Sequence, residues 1–304
     1  MLSLSSLRVF HSDRFSLPLP PNHRFPMKKY QIIRERLISD KVLTPENLKE
    51  ASFASEKDIL RAHSLKFYQS VKDGTLTKKE QRLIGFPWSE VMLKRSLSSV
   101  GGLLNAIDSA LEVGISGNLS GGTHHSFSDH GEGFCVFNDF AIAALKCIEE
   151  KSFQDILILD LDVHQGNGNA KILKHHEEVF VVSMHGATNY PYRKQTSDID
   201  IDLKDETQDD EYLAILENLL KRLSQRRWDI ILYQAGVDPL KEDSLGKLSL
   251  SQKGLKKRDQ LVFEFGKKKG IPIAIALGGG YSIPIEHTIS SHLNTYRAIK
   301  EVYF

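Results

Sequence analysis

The stretch that decides the fold runs from Ile156 to Gly168, ILILDLDVHQGNG. Its first half is a continuous apolar run, the mark of a strand covered on both faces, as in a parallel sheet packed between layers of helices. Its second half sets Asp160, Asp162 and His164 on alternate residues and then enters a Gly-rich turn. Residues two apart on an extended backbone share a face. Asp162 and His164 are therefore expected to reach one ion, with Asp160 turning back to hydrogen-bond its neighbours. Two carboxylates beside an apolar strand would be costly if left unpaired, which argues for a site rather than a solvated strand end.

Working outward, strands alternate with helices from about residue 114 to the end. Strands are expected at 114–120, 154–163, 178–185, 228–236 and 270–280, and helices at 137–151, 169–176, 209–225, 251–269 and from about 284. That alternation implies a parallel sheet with helices on both faces. Residues 27–112 read as mostly helical, over 27–40, 44–52, 56–74 and 93–114, with apolar residues at three- and four-residue steps and Pro45 suited to a first helical turn. Ahead of them, SLRVFHS (6–12) reads as a strand and LPLPPNHRFP (17–26) as a Pro-rich extended connection. There is no internal repeat. The expectation is a single α/β domain over residues 1–304 with a mostly parallel central sheet.

The chain's 304 residues carry 40 basic and 39 acidic side chains, which gives no basic excess for a nucleic-acid footprint. The clusters at 221–227 and 267–269 fall at helix ends, where cations complement the dipole. Cys135 and Cys147 form no disulfide framework, so a reducing cytosol is the expected compartment. No apolar run approaches the roughly 18 residues of a membrane span. The Ser-rich start, free of acids before Asp13, weakly resembles a transit peptide but lacks a signal-peptide core, and is read as a first strand.

In open parallel sheets, sites form where loops converge at the carboxyl ends of strands. Here those ends deliver His124 and His125, then Asp160, Asp162 and His164, then Asp238, then Tyr281. Asp162, His164 and Asp238 make a one-His, two-carboxylate set for a divalent metal, and three protein ligands leave a position open, as catalysis requires. Nitrogen and oxygen ligands without a thiolate suit Zn²⁺, with Fe²⁺ or Co²⁺ as alternatives. The tandem imidazoles suit general acid–base work. GGGY (278–281) lacks the spacing and the Lys of a phosphate loop, so it reads as a turn that lets the Tyr281 hydroxyl approach a polarised carbonyl. Gly166 and Gly168 fit a strand-to-helix turn, and Ser183 taken alone is an ordinary strand hydroxyl.

These residues together resemble the zinc-dependent histone deacetylase family. The matching text is GGTHHSFSDHGEGFCVFND, LDLDVHQGNG, VVSMH, QAGVDPL and LGGGY, in the family's order, with HSDRFSLPLPPNHRFPMKKY similar to its N-terminus. HQGNG and GVDPLKEDSLGKLSLSQKGLKKRDQLVF look most like the short class IV branch. The resemblance implies a three-layer, arginase-like α/β/α fold and a metal-dependent amidohydrolase in which a metal-activated water attacks an Nε-acyl-lysine amide. It implies metal ligation by Asp162, His164 and Asp238, general base and acid at His124 and His125, and pairing of Asp160 with His124. Tyr281 would donate to the oxyanion, Phe134 would line the acyl tunnel and Gly133 would sit at its rim. Ser183, with Asp160, Asp162 and His164, falls where the family binds a structural K⁺ mainly through backbone carbonyls.

Two departures stand out. Asn167 occupies the place of a second aspartate in class I members, so His125 is expected to have a neutral partner, and which histidine is the base stays open. The class I aromatic motif on the opposite tunnel wall is replaced by GATNYPYR (186–193), with Tyr190 as the substitute, which opens the site to acyl chains longer than acetyl. Competing readings are an acetylpolyamine or other small-amide deacetylase with the same site, a ureohydrolase of the same fold, and a non-catalytic acyl-lysine binder. The ureohydrolase would want ligands ordered Asp-x-His-x-Asp, whereas this chain has Asp-x-Asp-x-His.

Overall fold

Eight short strands hydrogen-bond side by side in the computed structural model of the protein: β1 (Val9–His11), β2 (Leu48–Glu50), β3 (Ile115–Asn118), β4 (Ile156–Asp160), β5 (Val179–Gly186), β6 (Ile199–Leu203), β7 (Ile230–Gln234) and β8 (Ile273–Ala276). The structure describes residues 3–20 and 23–304, so positions 21 and 22 of the Pro-rich connection lie outside the described residues. The strand order is β2-β1-β3-β8-β7-β4-β5-β6, and every neighbouring pair is parallel. Every residue of β3, β4, β7 and β8 is buried, because helices cover both faces.

The helices are α1 (Lys29–Ser39), α2 (Glu56–Leu60), α3 (Leu65–Lys72), α4 (Lys78–Ile84), α5 (Glu90–Val113), α6 (Asp139–Lys151), α7 (Asn167–Leu173), α8 (Asp209–Leu223), α9 (Gln252–Lys269) and α10 (Glu286–Tyr303). Successive β3 residues identify the two layers, since side chains alternate across a strand. Asn118 donates to the Ser99 carbonyl of α5 (2.9 Å), whereas a Cβ on Gly117 would meet the Tyr296 hydroxyl of α10. Helices α5, α6 and α7 pack in sequence on one side; α8, α9 and α10 pack on the other, with α1 against α10. Helix starts carry side-chain caps, such as Asn138 to the Ala141 N–H (2.8 Å) and Ser251 to the Gly254 N–H (3.0 Å). Gly114 and Gly270 end α5 and α9 in the left-handed region, φ 86° and 67°. No helix among the described residues is long and apolar enough to cross a membrane.

The structure corrects several sequence expectations. Residues 44–52 are not a helix: Pro45 opens a single 3-10 turn, and Leu48–Glu50 pairs with β1 as an edge strand. Asn47 there accepts from the Thr44 N–H (2.8 Å) and donates to the Leu7 carbonyl (2.9 Å), so the turn is committed to holding the N-terminal segment. The helix expected over 56–74 breaks into α2 and α3 where the Ser64 N–H leaves for the Ser128 carbonyl (2.7 Å) and its hydroxyl caps α3. Helix α4 and strand β6 were not anticipated. Thr77 and Glu80 form a reciprocal capping box that marks α4, while β6 is a half-exposed edge strand without an apolar run. The sheet is parallel throughout rather than mostly so. Asp162 and His164 lie in a bend beyond β4 and not on extended strand, so their convergence comes from that bend.

Candidate functional site

The four strand ends that carry the polar residues are neighbours in the sheet, in the order β3-β8-β7-β4. Strands lie about 4.8 Å apart, so their loops emerge along a strip roughly 15 Å wide. Asp160 is the last residue of β4; Asp162 and His164 follow in the bend, Asp238 follows β7, His124 and His125 follow β3, and Tyr281 follows β8.

Backbone donors fix each carboxylate. Asp162 Oδ1 accepts from the His164 N–H (3.0 Å) and Oδ2 from the Gly279 N–H (2.9 Å), while Asp238 Oδ1 accepts from the Val163 N–H (2.9 Å). Fully buried Arg258 of α9 donates to the carbonyls of Gly236 (2.5 Å) and Leu161 (3.3 Å), tying the ends of β7 and β4 together. The turns approach so closely that a Cβ on Gly236 would collide with Asp162 Oδ2, and one on Gly279 with Asp238 Oδ2.

Asp162, His164 and Asp238 present ligand atoms that all lie within 4.8 Å of one another. His164 Nδ1 is 3.0 Å from Asp162 Oδ1 and 3.2 Å from Asp238 Oδ2. These separations match the edge of about 3.3 Å in a tetrahedron of ligands about 2.0 Å from a central ion, so the donor set fits a divalent metal. Burial would drive the His164 proton off, but the two carboxylates outweigh it and raise its pKa to about 10. Burial and the charge of Asp162 raise the Asp238 carboxyl to about 7. The cluster thus sets two carboxylates and one imidazole together in a buried site, and an ion entering it would have to displace the His164 proton.

The tandem histidines have unlike partners. His124 Nδ1 is 2.6 Å from Asp160 Oδ2, and its Nε2 is 4.0 Å from Asp162 Oδ1. His125 Nδ1 is 2.7 Å from the amide oxygen of Asn167. Burial lowers both imidazoles. The Asp160 carboxylate reverses this at His124 and raises it to about 9, whereas His125, lacking a carboxylate and facing His124 and His164, stays well below its ordinary range.

A cavity of about 470 Å³ opens over these groups, lined by Gly133, Phe134, Tyr190 and Tyr281 as well as the two histidines and the ligand cluster. Phe134 sits at φ 66°, an uncommon conformation for a non-glycine residue. Its N–H is held by the Ile84 carbonyl (2.7 Å), and its ring packs among Phe25, Phe86 and Tyr281. The Tyr190 ring stands edge-on to His125 at 4.9 Å, forming the facing wall. Asp160, Asn167 and Ser183 lie behind the lining. Ser183 is buried on β5 in register with Asp160, its hydroxyl 2.9 Å from His185 Nδ1.

Sequence reasoning missed four residues that brace the site. Arg258 is one. Asp139 accepts from the Gly122 and Thr123 N–H groups (2.7 and 2.8 Å) just before the histidines, and Asp243 accepts from the Tyr281 N–H (2.6 Å). Glu132 accepts from Asn167 Nδ2 and the Tyr190 hydroxyl, each at 2.7 Å. None has a spacing signal; Glu132 and Asp139 only stand inside the quoted GGTHHSFSDHGEGFCVFND motif.

Comparison with known proteins agrees with this geometry. Residues 23–296 match the histone deacetylase domain. An uncharacterized protein of Picosynechococcus sp. is 40% identical over 296 residues, covering 97% of this chain and 98% of its own. Histone deacetylase 2 of Arabidopsis thaliana is 29% identical over 291 residues, covering 91% of this chain and 75% of its own. The crystal structure of an HDAC homolog complexed with SAHA shares the fold with a TM-score of 0.81 at 23% identity, over 97% of this chain and 83% of that one. On the domain match and the whole-length relative together, the chain belongs to the histone deacetylase family.

Proposed function

We propose that this protein, over residues 1–304 as one catalytic domain, is a metal-dependent amidohydrolase that removes an acyl group from the Nε of lysine. The observation that carries the reading is the pair of buried, differently partnered imidazoles facing the Asp162–His164–Asp238 cluster in one cavity. A divalent ion held by those three residues, Zn²⁺ or Fe²⁺, would supply Lewis acidity to the amide carbonyl and lower the pKa of a water beside it.

The chain's own residues do the rest. His125, neutral and with Nδ1 turned to Asn167, takes the proton of the attacking water on Nε2 and returns it to the leaving amine as the C–N bond breaks. His124, kept protonated by Asp160, stays as a fixed positive charge beside the reacting carbonyl. Tyr281 remains a hydroxyl because burial holds its pKa well above the ordinary range, so it can donate to the developing oxyanion. Phe134, Gly133 and Tyr190 wall the acyl-lysine chain. Ser183, beside Asp160, Asp162 and His164, belongs to a structural K⁺ site of backbone carbonyls.

Lysine is preferred to polyamines on charge. The carboxylates in the cavity lining are Asp162 and Asp238, whereas the outer lining carries Arg24, Arg82 and Lys247, a poor collar for a polycation. Its apolar wall of Phe25, Phe86 and Phe134 suits an acyl chain longer than acetyl. The test is a deacylation screen over acetyl-, crotonyl- and myristoyl-lysine peptides and acetylpolyamines, with metal measured on the same sample. We expect about one Zn or Fe per chain and acyl-lysine rates at least roughly tenfold above polyamine rates. Turnover of acetylpolyamines alone, or two Mn per chain, would overturn the assignment.

A further inference from the structure

Asn167 poses a problem that Glu132 solves. A neutral amide beside His125 can present either its oxygen or its NH₂, and the two choices demand opposite tautomers of the imidazole. In the structure the amide nitrogen faces Glu132 Oε1 (2.7 Å) and the amide oxygen faces His125 Nδ1 (2.7 Å). An ionised carboxylate is an acceptor only, so while Glu132 stands there the NH₂ cannot turn away from it. His125 Nδ1 must then carry the hydrogen, and the neutral ring offers a bare Nε2. Tyr190 donates to the same Oε1 (2.7 Å), which locks the carboxylate in place, and His130 Nε2 lies 3.8 Å from the other oxygen. Burial would raise the Glu132 pKa, but nearby His130 and the hydrogen bonds from Tyr190 and Asn167 outweigh it and keep the carboxyl below its ordinary range.

We propose that Glu132 is a positioning residue which, through Asn167, fixes the tautomer of His125, with Tyr190 serving as its anchor. The role rests on the reading of His125 as the proton-transferring group. It moves the orienting negative charge one amide away from the imidazole, so that the tautomer is specified without a carboxylate against the ring.

The experiment uses the full-length, zinc-loaded protein and three volume-conserving variants, Glu132→Gln, Asn167→Asp and the pair together. Asn167→Asp alone opposes two carboxylates. The pair restores a donor–acceptor match, because the Gln amide can donate to the Asp. For Glu132→Gln we expect kcat to fall about tenfold with KM changed by less than about twofold. For Asn167→Asp we expect a loss of about a hundredfold, of which the double variant recovers at least about tenfold, a non-additivity that a merely structural role would not produce. Nitrogen NMR of isotopically labelled histidine, assigned with a His125→Ala control, should find the Nδ1–H tautomer of His125 in the wild type and a mixture in Glu132→Gln. The proposal falls if Glu132→Gln keeps the wild-type tautomer and rate, or if the double variant is no better than Asn167→Asp. Should Asn167→Asp not fold, the tautomer of Glu132→Gln decides alone. Should the wild type cleave no acyl-lysine peptide, the proposed function fails while the tautomer measurement still tests Glu132.

Discussion

The floor and the rim of the cavity are built on opposite principles. On the floor, Asp160, Asp162, His164 and Asp238 leave adjacent buried strands, are at most 8% exposed, and have their oxygens tied to backbone N–H groups. At the rim, Phe134 and Tyr190 sit on loops, one in a left-handed conformation and the other beside Tyr192, which is 89% exposed. The floor is positioned by the same burial that makes the sheet. The rim is positioned by loop segments holding one another, through contacts such as Phe134 to Ile84 and Tyr190 to Glu132. The residues proposed to hold the ion thus stand in the part of the molecule that costs most to rearrange, and those proposed to wall the acyl chain in the part that costs least.

The sharpest break of that contrast is Asp238→Asn, which keeps volume and removes one ligand charge. Metal content should drop from about one per chain to below about 0.1, with turnover down at least about 10³-fold. A variant that keeps its metal by elemental analysis would show that the floor does not depend on this ligand. Tyr281→Phe tests the boundary, since the Tyr281 N–H is held by buried Asp243 while its ring lines the cavity. Metal should stay and kcat should fall by roughly 10²–10³; unchanged turnover would remove its hydroxyl from the mechanism.

The next effect concerns stability. His63 is 4% exposed, accepts the Asn138 N–H at 2.8 Å and so supports the start of α6 behind the rim; burial lowers its pKa from 6.5 to about 4. Between pH 6.5 and 4 the unfolded chain therefore binds a proton that the folded chain does not, so stability is lost as pH falls through that window, by about 2 kcal/mol at pH 5. Denaturant unfolding at pH 7 and 5 should give a smaller acid loss for His63→Gln; equal losses would acquit His63. The smallest effect belongs to the rim proper. Phe134→Ala should leave metal content intact and shift the ratio of long- to short-acyl turnover by only about fivefold. A collapse of activity on every substrate would mean that Phe134 does more than wall the acyl chain.

How much of this could be read from sequence follows the same division. The continuous apolar run before Asp160 announces a doubly covered strand, and the polar residues after four such runs announce one sheet edge. Strand β6 escaped because an edge strand needs only a half-apolar pattern, and α4 because its capping box precedes a short, charged helix. Arg258 sits in KKRDQ, which reads as a solvated helix face, and only the packing of α9 on β7 and β4 makes it a buried clamp. Glu132 and the orientation of the Asn167 amide depend on which of two similar atoms faces which neighbour, a fact that linear spacing does not encode. The bend that carries Asp162 and His164 likewise reaches the expected convergence by a route the strand pattern did not describe.

Strand β8 (Ile273–Ala276) lies between β3 and β7, although it is the last strand in the chain. The sheet therefore cannot close until its final element is threaded into the middle. Until then β3, with the histidines, and β7–β4, with the ligand cluster, are two unpaired half-sheets. Such non-local pairing slows folding and exposes strand edges on the way. The three residues proposed to hold the ion already share the β7–β4 half, so it is the setting of the histidines over them that waits on the docking of these four residues.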